Sequence, residues 1–302
     1  MSVGLSTHDA FVRALDRASS IELCSYMLAA GNEVMQALER AADRGAKVSV
    51  ALEGSPHPDT SGSGLARANR RAADEMRGHG IAVRLAGETD EHLHAKAAIV
   101  DGVAFLDDRN WPGDGADTIV VTTERTDVAA IASAIAGRPA SAASLATEKV
   151  AALRLEADAI VGARGDRIDV ESESFGGCSV SKALRDRAAS GTPVRLLLSA
   201  AAFDRATARE RSEIAHLSAA GVEVRFGRSD EKLCVAGDRG WVGSANATYS
   251  PNPTLEWGMA TTDDCVLASL ERSFEREWIR ARPAPETPSS QPSLRTEEGG
   301  AR

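Results

Sequence analysis

The chain carries one long motif twice, and that duplication constrains its fold more than any other feature. HLHAKAAIVDGVAFLDDRN ends at Asn110 and DEKLCVAGDRGWVGSAN ends at Asn246. In both, a Lys (Lys96, Lys232) precedes the final Asn by the same interval. The likeness extends upstream. SIELCSYM and NEVMQALERAADRGAKVSVALEG near residue 21 are echoed by RIDVESESF and SVSKALRDRAASGTPVRLLLSA near residue 168. Each stretch reads as a strand, a helix ending at a Gly (Gly45, Gly191), and an apolar, β-branched strand. Gly suits that position because a helix C-terminus often needs a left-handed residue without a Cβ. A polar helix and a short strand follow in each copy, GIAVRL at 80–85 and GVEVRF at 221–226. After the motif come DTIVVTTE from Asp117 and EWGMATTD from Glu256, then a closing helix.

Strands alternating with helices predict an α/β layer in each half, built on a mixed, largely parallel sheet. Self-similarity on this scale indicates duplication of a whole domain, not a solenoid. The expected organisation is a first half over 1–139, a linker helix over 140–160 and a second half over 161–281. A tail over 282–302, rich in Pro, Ser and Glu, is expected to be disordered.

A chain of 302 residues can bury a substantial core, and 43% hydrophobic residues is ordinary for a globular protein. The net charge of −9 disfavours broad binding to duplex nucleic acid, which relies on many Lys and Arg contacts to phosphate. It leaves room for a local basic pocket. Cys24, Cys178, Cys234 and Cys265 are scattered without CxxC spacing, so they read as reduced thiols of a cytoplasmic protein. No basic start followed by an apolar run marks a secretory signal, and no stretch is apolar enough to span a bilayer. No metal-ligand spacing is visible, and neither metal nor cofactor is expected.

In HLHAK a period of two puts His92, His94 and Lys96 on one face of an extended strand. A His beside a Lys suits a phosphate. The ammonium neutralises charge, and the imidazole can attack or move a proton. The carboxamide of Asn110 can donate to a phosphoryl oxygen. Lys232 and Asn246 repeat that pair in the second copy, and Ser244 adds a hydroxyl.

His94, Lys96 and Asp101 stand as H-x-K-x4-D, and Gly243, Ser244, Ala245 and Asn246 as G-S-x-N. With the duplicated layout and the ending SLERSFEREW, the chain resembles the phospholipase D superfamily to about residue 281. The resemblance implies two homologous halves packed as a pseudo-twofold pair around one cleft, in a monomer that is its own internal dimer. It implies a metal-independent phosphodiesterase, or a phosphatidyl or phosphoryl transferase, acting through a phosphohistidine. His94 would be the nucleophile. Lys96, Lys232, Asn110 and Asn246 would clamp the phosphate, with Ser244 beside them. Asp117 and Glu256 would each orient the catalytic group of their own half, and Asp101 would be structural. The expected substrate is a small or lipid-like phosphodiester.

The departures are specific. Asp108 replaces the Ser of G-S-x-N in the first half, where a carboxylate would repel phosphate unless Arg109 offsets it. In the second half Asp230 replaces the His, and Gly237 stands at the motif Asp, with Asp238 one place late. Asp230 could serve as general acid if it lay close to Glu256, since two adjacent carboxylates can hold a proton near neutral pH, although Lys232 opposes this. The same departures motivate two alternatives: an inactive protein that binds a phosphate ligand or a partner, and a nuclease for short or single-stranded substrates. Other residues have plainer readings. His92 is a neighbour on the motif's face, His57 a loop histidine, Trp111 a pocket wall or a core residue, and Asp114 a turn residue.

Overall fold

The computed structural model describes residues 3–56, 64–87, 92–111, 119–228, 231–250 and 252–284. The first half contributes strands β1 (Val3–Ser6), β2 (Ser20–Ser25), β3 (Lys47–Glu53), β4 (Ala82–Ala86), β5 (His92–Leu93), β6 (Ala97–Val100), β7 (Val103–Asp107) and β8 (Ile119–Thr122). Its helices are α1 (His8–Leu15), α2 (Glu33–Asp43), α3 (Gly64–Gly78) and α4 (Arg125–Ile135). Next come β9 (Leu145–Glu148) and α5 (Lys149–Gly162). The second half contains β10 (Ile168–Ser172), α6 (Ser179–Ala189), β11 (Val194–Ser199), α7 (Ala200–Asp204), α8 (Ala208–Ala219) and β12 (Glu223–Gly227). It closes with β13 (Leu233–Ala236), β14 (Arg239–Gly243), β15 (Thr254–Thr261), α9 (Asp264–Arg280) and β16 (Arg282–Pro283).

The two sheets repeat one topology. The first runs β1-β8-β7-β6-β2-β3-β4; the second runs β16-β12-β11-β10-β13-β14-β15-β5, with β9 also on β15. In each half three strands are parallel, β2–β3–β4 and β10–β11–β12. The motif strands join them antiparallel. Each sheet is therefore mixed but not largely parallel. The motif is a hairpin with a tight turn at Asp101–Gly102 or Gly237–Asp238, and a tight turn can join only antiparallel neighbours.

Local sequence explains the repeated elements. Asn32 caps α2 by accepting the amides of Val34 and Met35, and the helix buries Val34, Met35, Leu38 and Ala41 on one face. Gly45 and Gly191 end α2 and α6 with φ of 91° and 87°. Beyond them Ala46 N reaches back to Ala41 O, and Thr192 N to Arg187 O. Those bonds satisfy carbonyls that a helix end would leave open.

Among the described residues, three apolar cores follow from the layering. One lies under α1–α3 in the first half and another under α5, α6 and α8 in the second. The third lies between the halves, where Leu93, Leu106, Val120 and Ile131 meet Leu233, Leu255, Trp257 and Phe274. Two features differ from the sequence expectation. Residues 140–160 form more than a linker helix: β9 pairs with β15, and α5 packs on the second sheet. The start of the expected tail is ordered, since β16 pairs with β12. Residues 285–302 lie outside the described residues.

Candidate active site

The nucleophile's position is made by a strand exchange between the halves. β5 belongs to the first half but runs parallel to β15 of the second, and the His94 amide donates to Leu255 O at 2.8 Å. Glu53, fully buried at the end of β3, braces the same segment by accepting the Leu93 amide at 2.7 Å. The HLHAK stretch is thus not one strand. It leaves one sheet at Leu93 and enters the other at Ala97. His92 stays on the surface, 3.9 Å from Glu53, while His94 and Lys96 enter the cleft.

His94 Nδ1 lies 2.9 Å from the carboxylate of Glu256, on β15 of the other half. A carboxylate accepts, so this contact assigns the ring proton to Nδ1 and leaves the lone pair on Nε2. Glu256 is buried and is itself held by the Ser244 hydroxyl at 2.5 Å; Ser244 Oγ in turn accepts the Trp257 amide at 2.9 Å. Burial would raise the Glu256 pKa, but His94 and Lys96 outweigh it and hold the carboxyl below its usual range. Lys96 Nζ stands 3.0 Å from Nδ1 and 3.2 Å from Nε2. Burial, with Lys96 and Lys232 nearby, lowers the His94 pKa despite Glu256, so the ring is neutral near pH 7, as a nucleophile requires. Burial also lowers Lys96 to about 8.

The two asparagines are positioned identically by their halves. Asn110 Oδ1 accepts the Met27 amide at 3.2 Å, and Asn246 Oδ1 accepts the Ser174 amide at 3.3 Å. The strand ends they grip are also alike: Ser25 Oγ donates to Met27 O at 2.7 Å, and Ser172 Oγ to Ser174 O at 2.8 Å. With each Oδ1 occupied, each amide NH2 remains as donor. Lys232, 3% exposed, sits just before β13, where Lys96 sits before β6. The charge of Lys232 acts on His94, Lys96 and Glu173, residues of both halves, so the two halves share one cleft.

Several sequence expectations change. Glu256 does not serve its own half; it holds His94 across the interface, because β5 is docked on β15. Asp230, Asp117, Asp114 and His57 lie outside the described residues. Asp108 is buried between the halves, where its Oδ2 accepts the Lys232 amide at 3.3 Å beside Glu231. Burial, then Asp108, push Glu231 up to about 8. Trp111 is a core residue, stacked on Phe11 at 4.5 Å. Asp101 takes a left-handed turn (φ 46°) and accepts from Ser19 N, Ser19 Oγ and Ser20 N, tying the motif hairpin to β2. At the equivalent turn Gly237 is left-handed (φ 55°), and Asp238 accepts the Arg164 amide instead.

Two site residues escaped the sequence reading. Tyr26 places its ring 4.7 Å from that of His94. Glu173, at the equivalent strand end, lies 3.6 Å from Lys232 Nζ and accepts from Asn246 Nδ2 at 3.3 Å. Aligning SIELCSYM with RIDVESESF marks both as residues just past a strand, but nothing in the sequence shows that those ends face the motif. Among the described residues no group of three His, Cys, Asp or Glu could hold a metal ion. Among the described residues no helix is long and apolar enough to cross a membrane.

Comparison with known proteins agrees with this architecture. No curated protein sequence matches the chain. Polyphosphate kinase from Porphyromonas gingivalis is similar in structure, with a TM-score of 0.65 and 19% identity over 92% of this chain. The chain spans only 47% of that protein's length. Phosphatidylserine synthase from Haemophilus influenzae Rd KW20 is similar at a TM-score of 0.64 and 11% identity, over 94% of this chain and 87% of its own. At these identities the likeness is one of fold. The family model for the phospholipase D-like domain of cardiolipin synthase matches residues 11–129 and 157–278, one segment in each half, and by that match the chain belongs to the phospholipase D-like family.

Proposed function

We propose that the chain is a phosphodiester hydrolase or phosphatidyl or phosphoryl transferase that works through a phosphohistidine on His94. The observation that carries this reading is the His94 ring anchored at Nδ1 by Glu256 across the interface, with two buried lysines from different halves in the same cleft. In this mechanism the Nε2 lone pair attacks phosphorus. A P–N bond forms and the bond to the leaving oxygen breaks. Lys96, Lys232, Asn110 and Asn246 hold the non-bridging oxygens, where negative charge concentrates in the transition state. Glu256 stabilises the imidazolium that forms. Asp230 gives the leaving oxygen its proton. Water or an alcohol then attacks phosphorus, gives up a proton to Asp230 and breaks the P–N bond. The lysines supply the positive charge, so the steps need no metal. The match to the cardiolipin synthase domain favours a lipid-like or small phosphodiester as the substrate to try first.

The test is turnover of an aryl phosphodiester with and without chelator, with detection of an acid-labile phosphohistidine. Chelator should not reduce turnover, and His94→Ala should lose several powers of ten, as removal of a nucleophile does. Metal-dependent turnover, or turnover unchanged in the variant, would overturn the mechanism. Phosphate binding without any turnover would instead establish the ligand-binding reading that Asp230 in place of the second His motivates.

A further inference from the structure

The pseudo-twofold relation is broken at the pair Tyr26 and Glu173 inside the cleft. Tyr26 and Glu173 are equivalent: each follows a strand-end serine (Ser25, Ser172) whose hydroxyl bonds two residues on, and each precedes the residue whose amide is bound by the clamp asparagine. Tyr26 is neutral and sets its ring against His94. Glu173 sets a carboxylate against Lys232 at 3.6 Å and Asn246 Nδ2 at 3.3 Å. Those are the two second-half groups assigned above to phosphate oxygens. The carboxylate is thus an internal anion beside the substrate anion's own seat.

We propose that Glu173 is a specificity-determining residue that restricts the clamp to singly charged phosphoryl groups, accepting diesters and rejecting phosphomonoesters. The inference rests on the phosphodiester reading of the same cleft. A diester carries one negative charge. A monoester carries between one and two near neutral pH, because its second ionisation lies near pH 6. Lys96 and Lys232 supply two positive charges; Glu256, behind His94, offsets charge on the Lys96 side, and Glu173 offsets Lys232 at the point of contact. A phosphoryl group held by Lys232 and Asn246 is a near neighbour of that carboxylate, and each added negative charge is repelled at close range in a partly buried site. Burial acts to neutralise Glu173, but Lys232, the Asn246 bond, His94 and Lys96 outweigh it and keep the group ionised. The same repulsion would speed release of a monoester product.

The experiment is calorimetric binding near pH 7 of dimethyl phosphate, a monoanion, and of methyl phosphate, a monoester, to the native chain, Glu173→Gln and Glu173→Asp. The native chain should prefer dimethyl phosphate. Glu173→Gln should move the ratio of the two affinities towards methyl phosphate by about tenfold or more. Glu173→Asp, which keeps the charge, should leave the ratio near native, and this separates charge from a loss of packing. An unchanged ratio in Glu173→Gln, or the same shift in both variants, overturns the proposal while leaving the phosphodiester reading in place. Binding of neither anion to any of the three proteins overturns both.

Discussion

Glu256→Gln is the perturbation that most directly probes how the halves cooperate. The carboxylate is 2% exposed, lies 2.9 Å from His94 Nδ1 and has no bulk water to screen it. Gln keeps its shape and can still accept from Nδ1 but removes the charge. A hydrogen bond to a charged partner contributes about 1.5–3 kcal/mol, against about 0.5–1.5 kcal/mol for a neutral one. Gln retains the neutral bond, so the loss is the difference, about 1–1.5 kcal/mol, and kcat/KM should fall about 5- to 12-fold, at about 1.4 kcal/mol per factor of ten. A second readout separates this from mere loosening. Glu256 is the largest influence raising the His94 pKa against burial. Without its charge, His94 should protonate at lower pH, and the acid limb of kcat/KM should move down. The assay is aryl phosphodiester turnover across pH, with a melting curve at each point. A variant that folds, retains native kcat/KM within about threefold and keeps its acid limb would refute the coupling of β15 to the nucleophile.

Three further outcomes are expected. Lys96 titrates at about 8, so kcat/KM should fall above that pH as the clamp loses a charge, and a profile flat to high pH would contradict this. Asp230→Asn should impair alkyl diesters by roughly 10²–10⁴, the usual worth of general acid catalysis, while sparing aryl diesters whose leaving group needs no proton; equal losses on both would assign Asp230 a structural role. Glu231 is raised to about 8 in the folded chain, so the stability it contributes is complete below the ordinary carboxylate range and is lost as pH rises through about 8. Glu231→Gln should therefore flatten the decline of Tm between about pH 4.5 and pH 8, and a parallel decline in both proteins across that range would exclude the Glu231–Asp108 pair as its cause.

The duplication was legible because equal spacing survives in residues that each half needs for its own geometry. Lys96 and Lys232 must precede a hairpin, Asn110 and Asn246 must follow one, and Gly45 and Gly191 must end a helix. These are local requirements, and local requirements leave local traces. His94 could likewise be singled out from its Lys, its Asn and the turn at Asp101. The linker helix was only half legible, because β9 is a strand solely through its pairing with β15.

What the sequence could not supply is which side chains meet across the chain. Both motifs carry an acid downstream, and spacing alone pairs each acid with its own half. The tertiary structure decides otherwise, because β5 leaves the first sheet to add to β15, and that docking puts Glu256 against His94. Asp108 departs from the motif without meeting phosphate for the same reason: it faces the other half's backbone at Lys232. Tyr26 and Glu173 stand at strand ends with no periodic pattern of their own, and only packing turns them towards the motif. Periodicity and spacing record what a segment does with its neighbours in the chain; the charge and protonation of this cleft are set by contacts between residues far apart in it.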